Sequence, residues 1–412
     1  MDSGNLAWLM IATALVLLMT PGVAFFYGGL VKAKSVVSMM MMSFGGLALT
    51  AVLWVLYGFA MTAVDSPFAF AGNPFADLGL VNTIADDPTG ELGVGAAFGA
   101  TFAIITVALI SGAIADRARF WPWMGFAGVW VTLVYFPVAA WVWGGGWIME
   151  LGAWMFDGAV EVIDYAGGTA VHINAGAAAL ALALVLGKRV GFQKGINKPH
   201  SVPLVMLGAT LLWFGWFGFN AGLTPAPLGE DGNTALGLII VNTMVCPAAA
   251  IIGWIVVEKL KDGKSTSVGA ASGAVAGLVA ITPACASIDP IWAILLGVVS
   301  GAVCALAVEL KWKFGFDDSL DVVGVHLVGG MIGTLWIGFF ATGTGLFMGG
   351  GVAQLVVQAI AAIAVLIYSF VVAYVIGIAI EKVFGFRVKN ADEIAGVDTV
   401  VHGEEGYAME AR

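Results

Sequence analysis

The sequence predicts an all-α polytopic membrane protein. The predicted architecture has eleven transmembrane helices, a 5+5 inverted repeat plus one extra helix, with the N-terminus out and the C-terminus in. Three observations carry this. Of 412 residues, 60% are hydrophobic and 11% charged, where a soluble domain carries roughly 25% charged residues. Glycine fills 57 positions, about twice the usual ~7%, as suits helices whose backbones approach closely in lipid. Basic residues, finally, recur in register with the gaps between apolar stretches.

A transmembrane helix needs about 20 mostly apolar residues. Such stretches lie near 6–31, 36–62, 93–115, 121–142, 165–187, 200–222, 234–257, 266–287, 291–310, 320–342 and 351–381. The first has no basic leader and no small-residue cleavage site, so it reads as a span rather than a signal peptide. All 17 Lys and Arg follow an odd-numbered span. They include Lys32 and Lys34, Arg117 and Arg119, Lys188 and Arg189, Lys259 and Lys261, Lys311 and Lys313, and Lys382 to Arg412. The opposite loops carry acids alone, among them Asp65, Asp77, Asp86, Asp87, Glu150 and Asp157. Basic loops are cytoplasmic, which sets the orientation, and the expected location is the plasma membrane. The longer outer segments, 63–92 and 143–164, are expected to fold over the outer mouth. The polar tail, 382–412, is either a regulatory arm or a disordered end.

Two pairs of words betray an internal repeat. Gly22-Val-Ala-Phe-Phe-Tyr-Gly-Gly-Leu30 in span one matches Gly215-Trp-Phe-Gly-Phe-Asn-Ala-Gly-Leu223 in span six. Gly168-Thr-Ala-Val-His172 in span five matches Val322-Val-Gly-Val-His326 in span ten. Five spans separate the copies, so the halves are upside down relative to each other. That arrangement places a transport site at the midplane between them. The units are therefore 1–190, 191–345, the eleventh helix in 346–381, and the tail.

Polar residues at mid-depth are candidates for function. His172 and His326 both lie there, one in each half. If the fifth span is helical from residue 165, His172 is about 12 Å below Asp164. A neutral imidazole offers one N–H and one lone pair, so two neighbours can accept a proton, pass it on and return it. His200 and His402 fall at the cytoplasmic edge and are expected to be solvated. Asp164 reads either as a helix N-cap or as part of a cation site. Trp143, at an outer helix end, either packs or offers a cation–π face.

Other classes are excluded. The net charge of −10 leaves nothing basic for nucleic acid phosphates. Cys246, Cys285 and Cys304 are isolated in apolar runs and form neither a disulfide framework nor a zinc pattern. Gly263-Lys264-Ser265-Thr266 lacks the preceding glycine of a phosphate loop, since Glu258 stands there. No enzyme motif, metal site or cofactor site is found.

The long words together resemble the ammonium transporter (Amt/MEP/Rh) family, of the bacterial and archaeal Amt type. They run from Thr20-Pro-Gly to Asp164-Tyr-Ala-Gly-Gly-Thr-Ala-Val-His172-Ile-Asn-Ala-Gly, and on through Thr282-Pro-Ala-Cys285 and Asp321-Val-Val-Gly-Val-His326 to His402-Gly-Glu404. The resemblance implies a homotrimer with one hydrophobic pore per subunit. It implies an outer ammonium site at Trp143 and Phe102, supported indirectly by Asp164, and a gate of Phe102 and Phe219. His172 and His326 would be the twin histidines of the pore. Ammonium or ammonia is the implied substrate, with methylammonium as a second, and a PII-type regulatory protein is the implied cytoplasmic partner. One position departs from the pattern: Leu223 stands where the family usually has a serine that contributes a hydroxyl to the outer site. Two rivals remain, an electroneutral channel for ammonia or carbon dioxide and a membrane ammonium sensor.

Overall fold

A computed structural model describes residues 3–193, 198–222 and 230–407. Leu223 lies outside the described residues. The described chain is helical, with no strand beyond one isolated antiparallel bridge, Ala118 to Arg387.

Ten of its helices are long and apolar enough to cross a bilayer. They are α1 (Ser3–Leu30), α2 (Ala33–Met61), α3 (Glu91–Ile114), α4 (Phe120–Trp143), α5 (Gly168–Leu186), α6 (Val202–Ala221), α7 (Ala235–Asp262), α9 (Pro290–Phe314), α10 (Val323–Phe340) and α11 (Ala353–Phe384). Between α7 and α9 lies α8 (Ser267–Ile281), apolar but only 15 residues long, about 22 Å at 1.5 Å per residue. Their outer sides present Ile11, Phe44, Phe214, Ile252 and Ile363, all exposed, as a lipid solvent allows. In lipid, packing rests on close fit rather than on hydrophobic burial.

The fit comes from small residues. Along α1 and α6, Gly208 meets Phe26 and Gly215 meets Met19, so the two run antiparallel. A Cβ on Gly208 would lie 2.2 Å from the Phe26 amide nitrogen, a distance that only glycine permits. The pairs Gly273–Trp254 and Gly277–Ala250 make α8 antiparallel to α7. Gly297–Cys246 and Gly301–Ala250 make α9 parallel to α7. At the centre α5 crosses α10, where Gly176 packs on Leu327 and Gly330 on Gly168. Cys246, Cys285 and Cys304 are buried as free thiols.

The loops holding the basic residues gather at one end. Buried Arg189 bridges Asp116 at 2.9 Å and Asp317 at 2.8 Å. Arg117 donates to the Asp317 carbonyl and the Ser319 hydroxyl. The tail is laid across this end. Arg119 N donates to Phe386 O, and Val388 N to Arg117 O, both at 2.9 Å. The Asp398 carboxylate accepts from Val37 N and Ser38 N at the start of α2. Arg387 pairs with Glu393, whose other oxygen accepts from Val190 N. The tail through residue 407 is thus docked, and the disordered alternative fails there. Two expectations are also corrected. His200 is half-buried, bonded to the Val31 carbonyl and the Tyr407 hydroxyl, both at 2.8 Å. His402 packs edge-on against Phe120 at 5.5 Å.

At the opposite end, segments 63–92 and 143–164 pack on each other. Val64 N donates to Gly144 O, and Phe68 stacks on Trp154 at 5.2 Å.

Candidate functional site

A vestibule of about 350 Å³ opens at this second end, walled by Trp54, Phe98, Phe102, Tyr135 and Trp143. Trp143 closes the last turn of α4, and its indole N–H donates to the main-chain carbonyl of Asp164 at 2.8 Å. The Asp164 carboxylate is turned the other way. It accepts from the amides of Gly167, Thr169 and Ala170 at 2.9–3.0 Å, the unsatisfied donors of the first turn of α5. Gly167 turns the chain there at φ +110°, a conformation that a side chain would strain. Asp164 therefore reaches the vestibule through Trp143 and not with its carboxylate. Residues 164–167 are not helical, so the 12 Å helical rise expected from Asp164 to His172 does not apply.

Below the vestibule the rings form a file. Phe102 of α3 lies edge-on to Trp143 at 6.2 Å and stacks on Phe219 of α6 at 4.2 Å, 12° from parallel. Both phenylalanines are buried, Phe102 lining the vestibule and Phe219 the space beside the histidines. Phe219 sits 6.2 Å from the ring of His172. The next ring is His326, with Nδ1 of the two histidines 3.2 Å apart. At that distance one ring donates and the other accepts, so the pair holds one proton between the facing nitrogens. Nε2 of His172 is buried without a hydrogen-bond partner among the described residues. Beside the pair lies a void of about 10 Å³ lined by Val23, Phe26, Ile105 and Phe219 as well as both histidines. That is room for about one water-sized molecule.

The described residues expected at the outer site, gate and pore lie in one file, Trp143, Phe102, Phe219, His172 and His326, with Asp164 behind the first. Two features were missed. Trp216 stacks on His172 at 5.4 Å and is fixed by donating to Thr282 Oγ1 at 2.8 Å. Its spacing, three before Phe219, puts both on one helix face, the signal that could have found it. The second is wide, π-type turns at Gly168–Ile173 and Val323–Leu327, one containing each histidine. Such turns mark functional sites in many helices, and residue pattern does not announce them.

The sequence model of the Ammonium Transporter Family matches residues 7–407. An ammonium transporter of Mycobacterium tuberculosis is 49% identical, covering 98% of this chain and 90% of the relative. The ammonium transporter Amt1 of Archaeoglobus fulgidus is 38% identical over 99% of this chain and 100% of its own. Among solved structures, a sensor Amt protein aligns with a TM-score of 0.86 at 28% identity, over 97% of this chain and 98% of that one. Saccharomyces cerevisiae Mep2 aligns with a TM-score of 0.79 at 32% identity, over 95% and 91%.

Proposed function

The chain belongs to the ammonium transporter family, and from that premise we propose how it works. Ammonium collects at Trp143 and Phe102, gives up its proton, and crosses as ammonia past Phe102 and Phe219. It then runs along His172 and His326 into the cytoplasm, with net transfer of charge. The observation that carries this reading is the unbroken file of rings from the vestibule to the paired Nδ1 atoms.

Each step has a physical reason. An indole face attracts a small cation by about 0.5–2 kcal/mol. A bare cation in the apolar centre costs at least several kcal/mol, and the stacked phenylalanines leave no room for its water. Neutral ammonia has no such penalty, and the histidines offer it both a donor and an acceptor. A proton carried along the same pair moves one charge per event, worth ~2.3 kcal/mol per 100 mV.

The same proposal fixes topology. Eleven crossings, α8 included, account for α7 and α9 running parallel with α8 antiparallel between them. The antiparallel pairs α1–α6 and α5–α10 support an inverted repeat of 1–190 and 191–345. Collection of the basic loops at one end supports a cytoplasmic tail and an outer N-terminus in the plasma membrane. The homotrimer and a PII-type partner on the tail face rest on the family resemblance. A second reading, ammonium sensing, is favoured by the likeness to the sensor Amt protein.

Methylammonium uptake into proteoliposomes tests the route. Replacing Phe219 by Trp, which overfills the stacked gate, should abolish uptake, and full uptake through that variant would move the path elsewhere.

A further inference from the structure

A cleft lies between α4 and α11 at the basic end, in two joined compartments. The outer one, about 570 Å³, is bounded by the tail and lined by Arg119, Arg387, Lys389 and Asp392. The inner one, about 460 Å³, runs down the helices past Gly125, Val129, Ile380 and Phe384. Arg119, Trp121 and Pro122 line both, so the two meet there.

The chemistry changes across that joint. Arg387 is committed to Glu393 and the Leu186 carbonyl. Arg119 donates through Nη1 to the carbonyls of Phe384 and Gly385, which fixes the guanidinium over the groove and leaves its other nitrogens for a ligand. Lys389 is exposed. Two cations thus face one carboxylate, Asp392. Trp121 is 77% exposed at the level where aromatic rings mark the membrane interface. Below it the groove is apolar, and a Cβ on Gly125 would meet no atom within 4 Å.

We propose that this cleft binds an anionic phospholipid of the adjoining leaflet. Its phosphate sits at Arg119 and Lys389, and an acyl chain lies in the groove along Gly125 and Ile380. Basic pockets between transmembrane helices on this side suit lipid headgroups, and each compartment falls within the roughly 300–1,000 Å³ of small-ligand sites. The lipid would hold the tail against α4 where Arg119 already ties the two together. The proposal needs the membrane and not the transport mechanism.

Native mass spectrometry of the full chain, titrated with dioleoyl phosphatidylglycerol or phosphatidylcholine, tests it. Phosphatidylglycerol should bind more tightly, by about five-fold per basic group engaged. Lys389→Gln should lose about five-fold of that preference and Lys389→Arg should keep it. Gly125→Leu fills the groove without altering charge, and should weaken phosphatidylglycerol several-fold. Equal retention of the two lipids overturns the proposal, as does retention unchanged in both Lys389→Gln and Gly125→Leu. So does displacement by millimolar inorganic phosphate with no effect of Gly125→Leu, which would mark a site for a free anion.

Discussion

At the scale of single residues, the account turns on what Trp143 and the histidines each supply. Trp143 is anchored by one hydrogen bond to Asp164 O, so its face toward the vestibule is fixed before any cation arrives. Trp143→Leu should raise the half-saturating ammonium concentration by about 2- to 30-fold, the equivalent of a 0.5–2 kcal/mol cation–π term. The maximal rate and the thermal stability should move less. A variant that fails to fold would return Trp143 to packing. His172→Asp with His326→Glu replaces a neutral, proton-sharing pair by carboxyl groups. That should admit potassium, read as a potassium current in vesicles, and a pore that still excludes potassium would count against the proton-sharing pair.

Among elements, the start of α5 and the crossing of α5 over α10 set the site. Asp164→Ala leaves three buried amides without an acceptor, at about 1–3 kcal/mol for a buried unsatisfied group. The expected result is a lower melting temperature together with slower uptake, because the same turn carries the anchor of Trp143. Gly208→Leu forces a side chain onto the Phe26 backbone and should destabilise by more than the about 1–3 kcal/mol of ordinary overpacking, measured as loss of the folded peak on gel filtration. Much of this level is legible in the chain. Apolar length located the ten long helices to within a few residues, and the recurring words named both histidines. The early end of α8 at Ile281, six residues short of the apolar stretch, and the wide turns that hold His172 and His326 were not legible. Hydropathy reports what contacts lipid, whereas these features answer to backbone packing between neighbouring helices. Asp164 was legible only as two alternatives, since an N-cap and a cation site ask for the same residue type.

Over the whole molecule, charge is sorted to one end and then consumed in structure. The alternation of Lys and Arg showed which loops share a face, but not that Arg117 and Arg189 would be buried there. Burial pushes the Asp317 carboxyl up, yet its hydrogen bond and the charge of Arg189, helped by Arg117, outweigh this and hold it below the usual carboxylate range. Its folded value is depressed, so its contribution to stability is complete above the unfolded value of about 3.9 and is lost as pH falls through the folded one. Acid should therefore loosen the docked tail below about pH 4, followed by hydrogen exchange of residues 385–400. Asp317→Asn should loosen it already at pH 7, by less than the about 3–5 kcal/mol of a buried ion left wholly unpaired, because Asp116 still pairs with Arg189.

The central claim is that charge crosses with ammonia along the paired histidines. Its most direct test is the current from proteoliposomes on a solid-supported membrane after an ammonium pulse. The account predicts a transient current that decays faster with more protein per vesicle and vanishes when His172 and His326 are both replaced by alanine. No current, together with a rapid rise of internal pH in the same vesicles, would contradict it and make the protein a neutral ammonia channel.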